Sequence, residues 1–206
     1  MAFSLSGFAS IRPYVYHLTA RDNLPHILDT GVLYSAEHLL DDTNDALTQK
    51  RALSMIVQWK GRSIRVRDQA PLHRGNVSFA SGWNFARLLK AINERVFFWP
   101  GTEFRPISYG IRHFERYRSE RPVILRCKSD LLFNTPGQEP EFCKYNSGSP
   151  RCSNGIGSPR GPDTFVPASR AMFSAAKAVE VTFAKSAYVP EFEWSDSPFG
   201  PWTNTF

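Results

Sequence analysis

Five short runs of β-branched and aromatic residues constrain this chain most: Pro13 to Thr19, Ser63 to Val66, Arg95 to Trp99, Pro122 to Lys128 and Ala178 to Ala184. Each is brief and apolar, bounded by turn-forming or charged residues, and reads as a strand. Helical patterns separate some of them and irregular text separates others, so no regular strand–helix alternation exists. The predicted class is therefore α+β rather than a doubly wound parallel sheet. With 206 residues, 42% hydrophobic and 21% charged, the chain can bury one core, and a single domain over 1–206 is expected. Disorder is excluded by the same figures.

The helical signals differ in quality. Asp22 is predicted to cap a short helix whose stripe is Leu24, Ile27 and Leu28, ending at Gly31 in a left-handed turn. Leu47, Leu53, Ile56 and Val57 predict a longer helix within 46–59. Phe85, Leu88, Leu89 and Ile92 follow the i, i+3, i+4, i+7 spacing of one apolar face, with Ser81 or Asn84 as start signal. Ser108 to Arg118 also reads as helix. Pro100-Gly101 is predicted to stop the strand before it. From Asn134 to Asp163 the text is rich in Gly, Pro, Ser and Asn, 30 residues long where connections usually run to about 4–6. It holds Phe142, Cys143, Tyr145 and Cys152, so an ordered, site-forming loop is expected.

Several chemistries are excluded by missing patterns. No Gly-x-Gly-x-x-Gly follows a strand, and no P-loop or Gly-x-Ser-x-Gly elbow occurs. The five histidines and three cysteines show no paired metal-ligand spacing, so no metal is expected. Cys127, Cys143 and Cys152 form an odd set, which argues against a disulfide framework. No apolar run is long enough to span a membrane, and the first residues lack the pattern of a secretory signal; a cytoplasmic location without membrane contact is expected.

The net charge of +6 is unevenly distributed. Lys60 to Arg74 carries five basic residues against one acid, and Arg105 to Lys128 carries seven against two. Such blocks are either solvated faces or an electropositive surface for a polyanion. Two further residues stand out. Glu180 lies between Val179 and Val181, so on a strand it shares a face with Thr182, opposite Val181 and Phe183. That face is either wet or a site. His17, within the first strand, is either a buried histidine satisfied by backbone or a functional group.

In order along the chain these segments resemble a known family. Tyr16, His17, Leu18 and Thr19, then Asn23 and Leu24, Ile27 and Leu28, and Gly31 to Leu33 resemble the opening signature of the DarT-type ADP-ribosyltransferase toxins. The family is similar in fold to the diphtheria-toxin and poly-ADP-ribose polymerase branch of ADP-ribosyltransferases. Arg95 to Trp99 followed by Tyr109 resembles the superfamily's second motif, and Val179-Glu180-Val181 its last-strand glutamate motif. The likeness covers the first 35 residues well and the two later strands loosely, while the middle of the chain does not align.

The resemblance implies a split β-sheet core with peripheral helices and NAD as co-substrate. It implies Glu180 as the catalytic carboxylate, holding the nicotinamide ribose and the oxocarbenium-like transition state. His17 and Thr19 would hold the adenosine ribose. Arg51, Arg65 and Arg67 are candidates for the pyrophosphate, which a planar guanidinium binds bidentately. Phe98 or Tyr109 would stack on nicotinamide. Tyr145, Asn146, Arg151 and Arg160, in the loop before Glu180, would contact the acceptor. The implied acceptor is nucleic acid, DNA ahead of RNA, and a toxin of this kind implies an antitoxin protein as a further partner. An RNA 2′-phosphotransferase or an NAD glycohydrolase on the same fold, and a non-catalytic nucleic-acid-binding module, are the alternatives.

Overall fold

The computed structural model describes residues 3–40, 46–148 and 159–205. The chain begins with helix α1 (Leu5–Ile11), strand β1 (Tyr14–Thr19), α2 (Leu24–Thr30), β2 (Val32–Tyr34), α3 (Ala36–Leu39), β3 (Met55–Trp59) and β4 (Arg62–Val66). There follow α4 (Phe85–Asn93), β5 (Arg95–Gly101), α5 (Ser108–Tyr117), β6 (Val123–Lys128), α6 (Ser129–Phe133), β7 (Glu141–Cys143) and β8 (Val166–Pro167). The last strands are β9 (Glu180–Ala184), β10 (Ser186–Tyr188), β11 (Glu193–Ser195) and β12 (Thr203–Asn204). Eight strands bond in the order β12-β11-β6-β1-β5-β9-β7-β8, and their pairings are antiparallel. A large antiparallel sheet with several helices fits the α+β class expected from the sequence.

Both faces of this sheet are covered, which explains why its central strands read as apolar runs rather than as alternation. On one face Val15, Phe98, Leu125, Val181 and Phe183 pack with Phe8 of α1 and Phe133 of α6. On the other, Tyr16, Leu18, Trp99 and Ile124 meet Phe114 and Tyr117 of α5. Fully burying one such Phe or Leu side chain contributes about 1.5–3 kcal/mol.

The sheet forks at its centre. Strands β1 and β5 pair only through Tyr14↔Gly101, Val15↔Pro100 and Tyr16↔Trp99. Beyond Tyr16, β1 continues with β6 as far as Thr19↔Val123, while β5 continues with β9 from Phe98↔Val181 to Arg95↔Ala184. At the fork the ladder is replaced by a side chain: His17 Nδ1 lies 2.8 Å from the Phe97 carbonyl oxygen. The closed end is tight, because a Cβ on Gly101 would lie 2.4 Å from the Arg105 carbonyl oxygen and 2.6 Å from Tyr16 Cε2.

Four expectations change. The helix predicted within 46–59 is not formed; Met55–Trp59 is a strand paired with Arg62–Val66. Lys60 (φ 47°) and Gly61 (φ 77°) supply the two left-handed residues of a tight hairpin turn, and Trp59, Ile64 and Val66 pack against Leu39. Local apolar spacing was ambiguous there, and the turn decides it. Asp22 does not cap α2; it accepts from Arg65 Nη2 at 2.9 Å and lies in a 3-10 turn, Arg21–Asn23. Gly31 does form the left-handed cap, donating its N–H to Ile27 at 2.8 Å. Pro100 and Gly101 do not stop β5, which runs through both. The stretch 134–163 is not wholly loop, since Glu141–Cys143 pairs with β9. Arg151 and Cys152 lie outside the described residues.

Candidate functional site

A cavity of about 260 Å³ opens where the sheet forks, lined by His17, Leu18 and Thr19 from β1 and by Arg95, Val96, Phe97 and Trp99 from β5. The hairpin β3–β4 and its exit contribute Ile64 to Gln69, and Asn146, Gly148 and Glu180 complete the wall.

Glu180 is 3% exposed, so the second face of its strand is not wet; Thr182 beside it is fully buried. Pairing with Cys143 of β7 brings the segment after that strand across the carboxylate. There the Ser147 N–H donates to Glu180 Oε1 at 3.0 Å and the Ser147 hydroxyl donates to Oε2 at 2.6 Å. Burial pushes the Glu180 carboxyl up to about 7, against the lowering effect of these two bonds and of the nearby Arg160 charge. The group is thus divided between its acid and carboxylate forms at neutral pH, the state a general base or a cation-stabilising carboxylate uses.

His17 is half-buried on the cavity wall. Burial holds its imidazole down to about 4, opposed by the Phe97 carbonyl, so it is neutral at pH 7. One ring nitrogen is thus satisfied by backbone while the ring stands on the cavity wall. Thr19 accepts from Asn23 Nδ2 at 3.1 Å. Asn23 also donates to the Arg65 carbonyl at 3.0 Å and accepts from the Arg65 N–H at 2.8 Å, stapling β4 to β1.

The three arginines separate clearly. Arg65 is engaged by Asp22 at the surface. Arg51 donates from Nε to the Arg67 carbonyl at 3.0 Å and from Nη1 to Asn93 Oδ1 at 2.8 Å, bracing the cavity wall. Arg67 differs: Nε, Nη1 and Nη2 are all buried and make no hydrogen bond among the described residues. Its guanidinium lies 4.4 Å over the Tyr117 ring, and Glu120 stands 3.8 Å away. Burial lowers its pKa. A buried guanidinium with unspent donors costs several kcal/mol unless something anionic meets it. Beside it His113 packs against Trp99 with ring centroids 4.6 Å apart, and burial brings it down to about 3.

A family model matches residues 13–191, that of the family of unknown function DUF7002. The chain belongs to DUF7002. No curated protein matches it. The matched span of this DUF7002 chain starts one residue before β1 and ends beyond β10, so it contains every residue that lines the cavity.

Of the residues singled out from the sequence, this DUF7002 fold gathers His17, Thr19, Arg51, Arg65, Arg67, Asn146 and Glu180 around one cavity. Phe98 stands elsewhere: 1% exposed, it packs edge-on with Phe183 in the core, because β5 alternation turns Phe97 and Trp99 to the cavity instead. Tyr109 packs beside the Trp99 cluster on α5, not on the cavity wall. Arg160 is 6% exposed, 4.4 Å over the half-buried Tyr145 ring, so its guanidinium stands behind that ring near Glu180 rather than on an open contact surface. Three contributors escaped the sequence reading. Ser147 gives no pattern of its own, His113 looks like any helical histidine, and Asn93 acts through long-range contacts with Arg51 and the Leu47 carbonyl. Among the described residues no cluster of metal-ligating side chains occurs, and no helix is long and apolar enough to cross a membrane.

Proposed function

We propose that this DUF7002 chain is an NAD-dependent ADP-ribosyltransferase, built on the split sheet of that superfamily, that transfers ADP-ribose to nucleic acid, DNA ahead of RNA. The observation that carries the reading is the juxtaposition in one cavity of a buried carboxylate tuned to about 7, a neutral histidine at the strand fork and a guanidinium with unspent donors. In this reading NAD is a substrate. Arg67 holds its pyrophosphate, His17 and Thr19 its adenosine ribose, and Phe97 or Trp99 replaces Phe98 and Tyr109 as the aromatic beside nicotinamide. Glu180 accepts from a hydroxyl of the nicotinamide ribose and stabilises the positive charge that develops as the C1′–nicotinamide bond lengthens. Asn146 on the cavity wall, with Tyr145 beside it in the chain, is assigned to the acceptor side. The activity fits a toxin, and with it an antitoxin partner.

A second reading, the RNA 2′-phosphotransfer reaction, is favoured by the histidines and arginines sharing the cavity, His17 and His113 with Arg51 and Arg67. Glu180 separates the two. Incubation with labelled NAD and single-stranded DNA, duplex DNA or RNA is expected to label a nucleic acid, and Glu180→Gln to abolish the label. Retained turnover in Glu180→Gln supports phosphotransfer. Label on no acceptor with NAD consumed supports a glycohydrolase, and no consumption at all returns the chain to a binding module.

A further inference from the structure

The eight-stranded sheet has blunted edges. It ends on one side in β12 and on the other in β8, each two residues long, and β8 carries Pro167; short edges and proline keep a sheet from pairing with another chain. The hairpin β3–β4 has no such protection. Its outer strand, Met55–Trp59, is five residues long, and from Ala52 to Trp59 the chain holds no charge, proline or glycine. The run is also open to solvent. Leu53 is 80% exposed, Ile56 57% and Met55 41%, although Met55 lies opposite Val66 on the face that packs on Leu39. The turn decides which backbone groups are free. With Lys60 and Gly61 as the two turn residues, Trp59 exchanges hydrogen bonds with Arg62, Val57 with Ile64 and Met55 with Val66. The N–H and C=O groups of Ile56 and Gln58 therefore point away from β4, with Ser54 next in the row, and these outward groups have no backbone partner among the described residues.

We propose that β3 pairs with β3 of a second copy of this chain, antiparallel and centred on Ile56. Two identical antiparallel strands are related by a two-fold axis, and they exchange bonds only where outward-facing residues stand opposite one another. Centring on Ile56 achieves this along the whole row: Ile56 meets its copy, and Ser54 meets Gln58 in both directions. The side chains then match as well. On one face Met55 stands across from Val57 and Leu53 across from Trp59; on the other Ile56 stands across from Ile56. Centring on Val57 instead would set Ile56 against Gln58 and require pairing by Lys60, which has already left the strand at φ 47°. The edge offers no charge for an acidic or basic partner to recognise, whereas it complements itself position by position, so a second copy is the occupant. The pairing lies on the strand remote from the cavity wall supplied by β4 and does not depend on what the cavity binds.

The test is sedimentation velocity of the full chain from about 1 to about 300 µM, because an edge of this length makes a small interface and hence a weak dimer. The sedimentation coefficient is expected to rise from that of one copy toward that of two. Added salt is expected to preserve or enlarge the rise, since each copy carries net +6 and the edge no charge. Ile56→Glu, which meets Arg65 across the hairpin, sets two carboxylates face to face in the pair and is expected to keep the chain monomeric; Ile56→Lys does the same with two ammonium groups. An equal mixture of these two variants is expected to pair again, because like charges have become opposite ones. Gln58→Pro removes an outward N–H that β4 does not use, and its expected loss of pairing decides the matter should a charged variant fail to fold. A wild type that stays monomeric throughout overturns the proposal, as do growth beyond two copies, abolition of the rise by salt, self-association unchanged in Ile56→Glu and Gln58→Pro, or a mixture of folded variants that stays monomeric. No NAD enters the experiment, so its outcome stands apart from the reading of the cavity.

Discussion

Arg67 places a cation where a folded chain in isolation gains least from it. Three buried guanidinium nitrogens without a hydrogen-bond partner among the described residues subtract from stability, and even buried ion pairs are often replaced by apolar side chains with a gain of about 1–4 kcal/mol. Arg67→Met is therefore expected to raise the melting temperature while abolishing the thermal stabilisation given by NAD. In the wild type that stabilisation should reach about 2.7 kcal/mol at a hundredfold excess over Kd. A variant that melts lower, with NAD stabilisation intact, would show that Arg67 serves packing on Tyr117 instead. Ser147 is a positioning residue by its geometry, since it spends both its N–H and its hydroxyl on one carboxylate. Both donors favour the ionised form. The transfer rate is expected to rise with pH through about 7, where Glu180 ionises, and Ser147→Ala is expected to move that rise upward by about one pH unit. A profile unmoved by Ser147→Ala, or retained in Glu180→Gln, would detach the rate from this carboxylate.

At the scale of elements the decisive object is the fork between β1 and β5. Its closed end depends on Gly101, where any Cβ meets the Arg105 carbonyl, Tyr16 and the Pro106 Cα at 2.7 Å or less. Backbone cannot yield as a flexible side chain can, so Gly101→Ala is expected to destabilise by about 2 kcal/mol or more in denaturant unfolding. Gly75→Ala, with nothing within 4 Å, is the control and should change little. Elements of this kind were legible in the sequence where one local rule sufficed: α4, capped by Asn84 accepting from the Arg87 N–H at 2.9 Å, α5, and strands β1, β5, β6 and β9 all fall where periodicity puts them. The hairpin β3–β4 was half legible, its second strand found and its first taken for helix. What hid it was Lys60 in a left-handed conformation, which no residue preference announces. The site was legible as a set of residues but not as an arrangement. Glu180 and His17 could be picked by their odd positions in apolar strands, yet ranking Arg67 over Arg65 required knowing that Asp22 hydrogen-bonds one, while the other, with Glu120 no nearer than 3.8 Å, makes no hydrogen bond among the described residues.

For the molecule as a whole, the site titrates against itself. Glu180 ordinarily ionises near 4.5 and in the folded chain at about 7, so between those values the folded state keeps a proton that the unfolded state has released. Its contribution favours folding in acid and is lost as pH rises through 7. His17 and His113, brought down from 6.5 to about 4 and about 3, work the other way. As pH falls below 6.5 the unfolded chain takes up two protons that the folded chain refuses. Two such groups outweigh one, so melting temperature is expected to fall from pH 6.5 toward 4.5. Glu180→Gln, which removes the opposing group, should make that fall steeper; an equal or shallower fall would contradict these assignments. The fork has one more consequence. Phe97 and Trp99 face the cavity and Phe98 the core only because Tyr16 is opposite Trp99. A slip of one residue would turn Phe98 out of the core and set a side chain where the closed end admits only Gly101. The glycine that forbids the slip is therefore also what keeps the site in being, although it is not among the residues that line it.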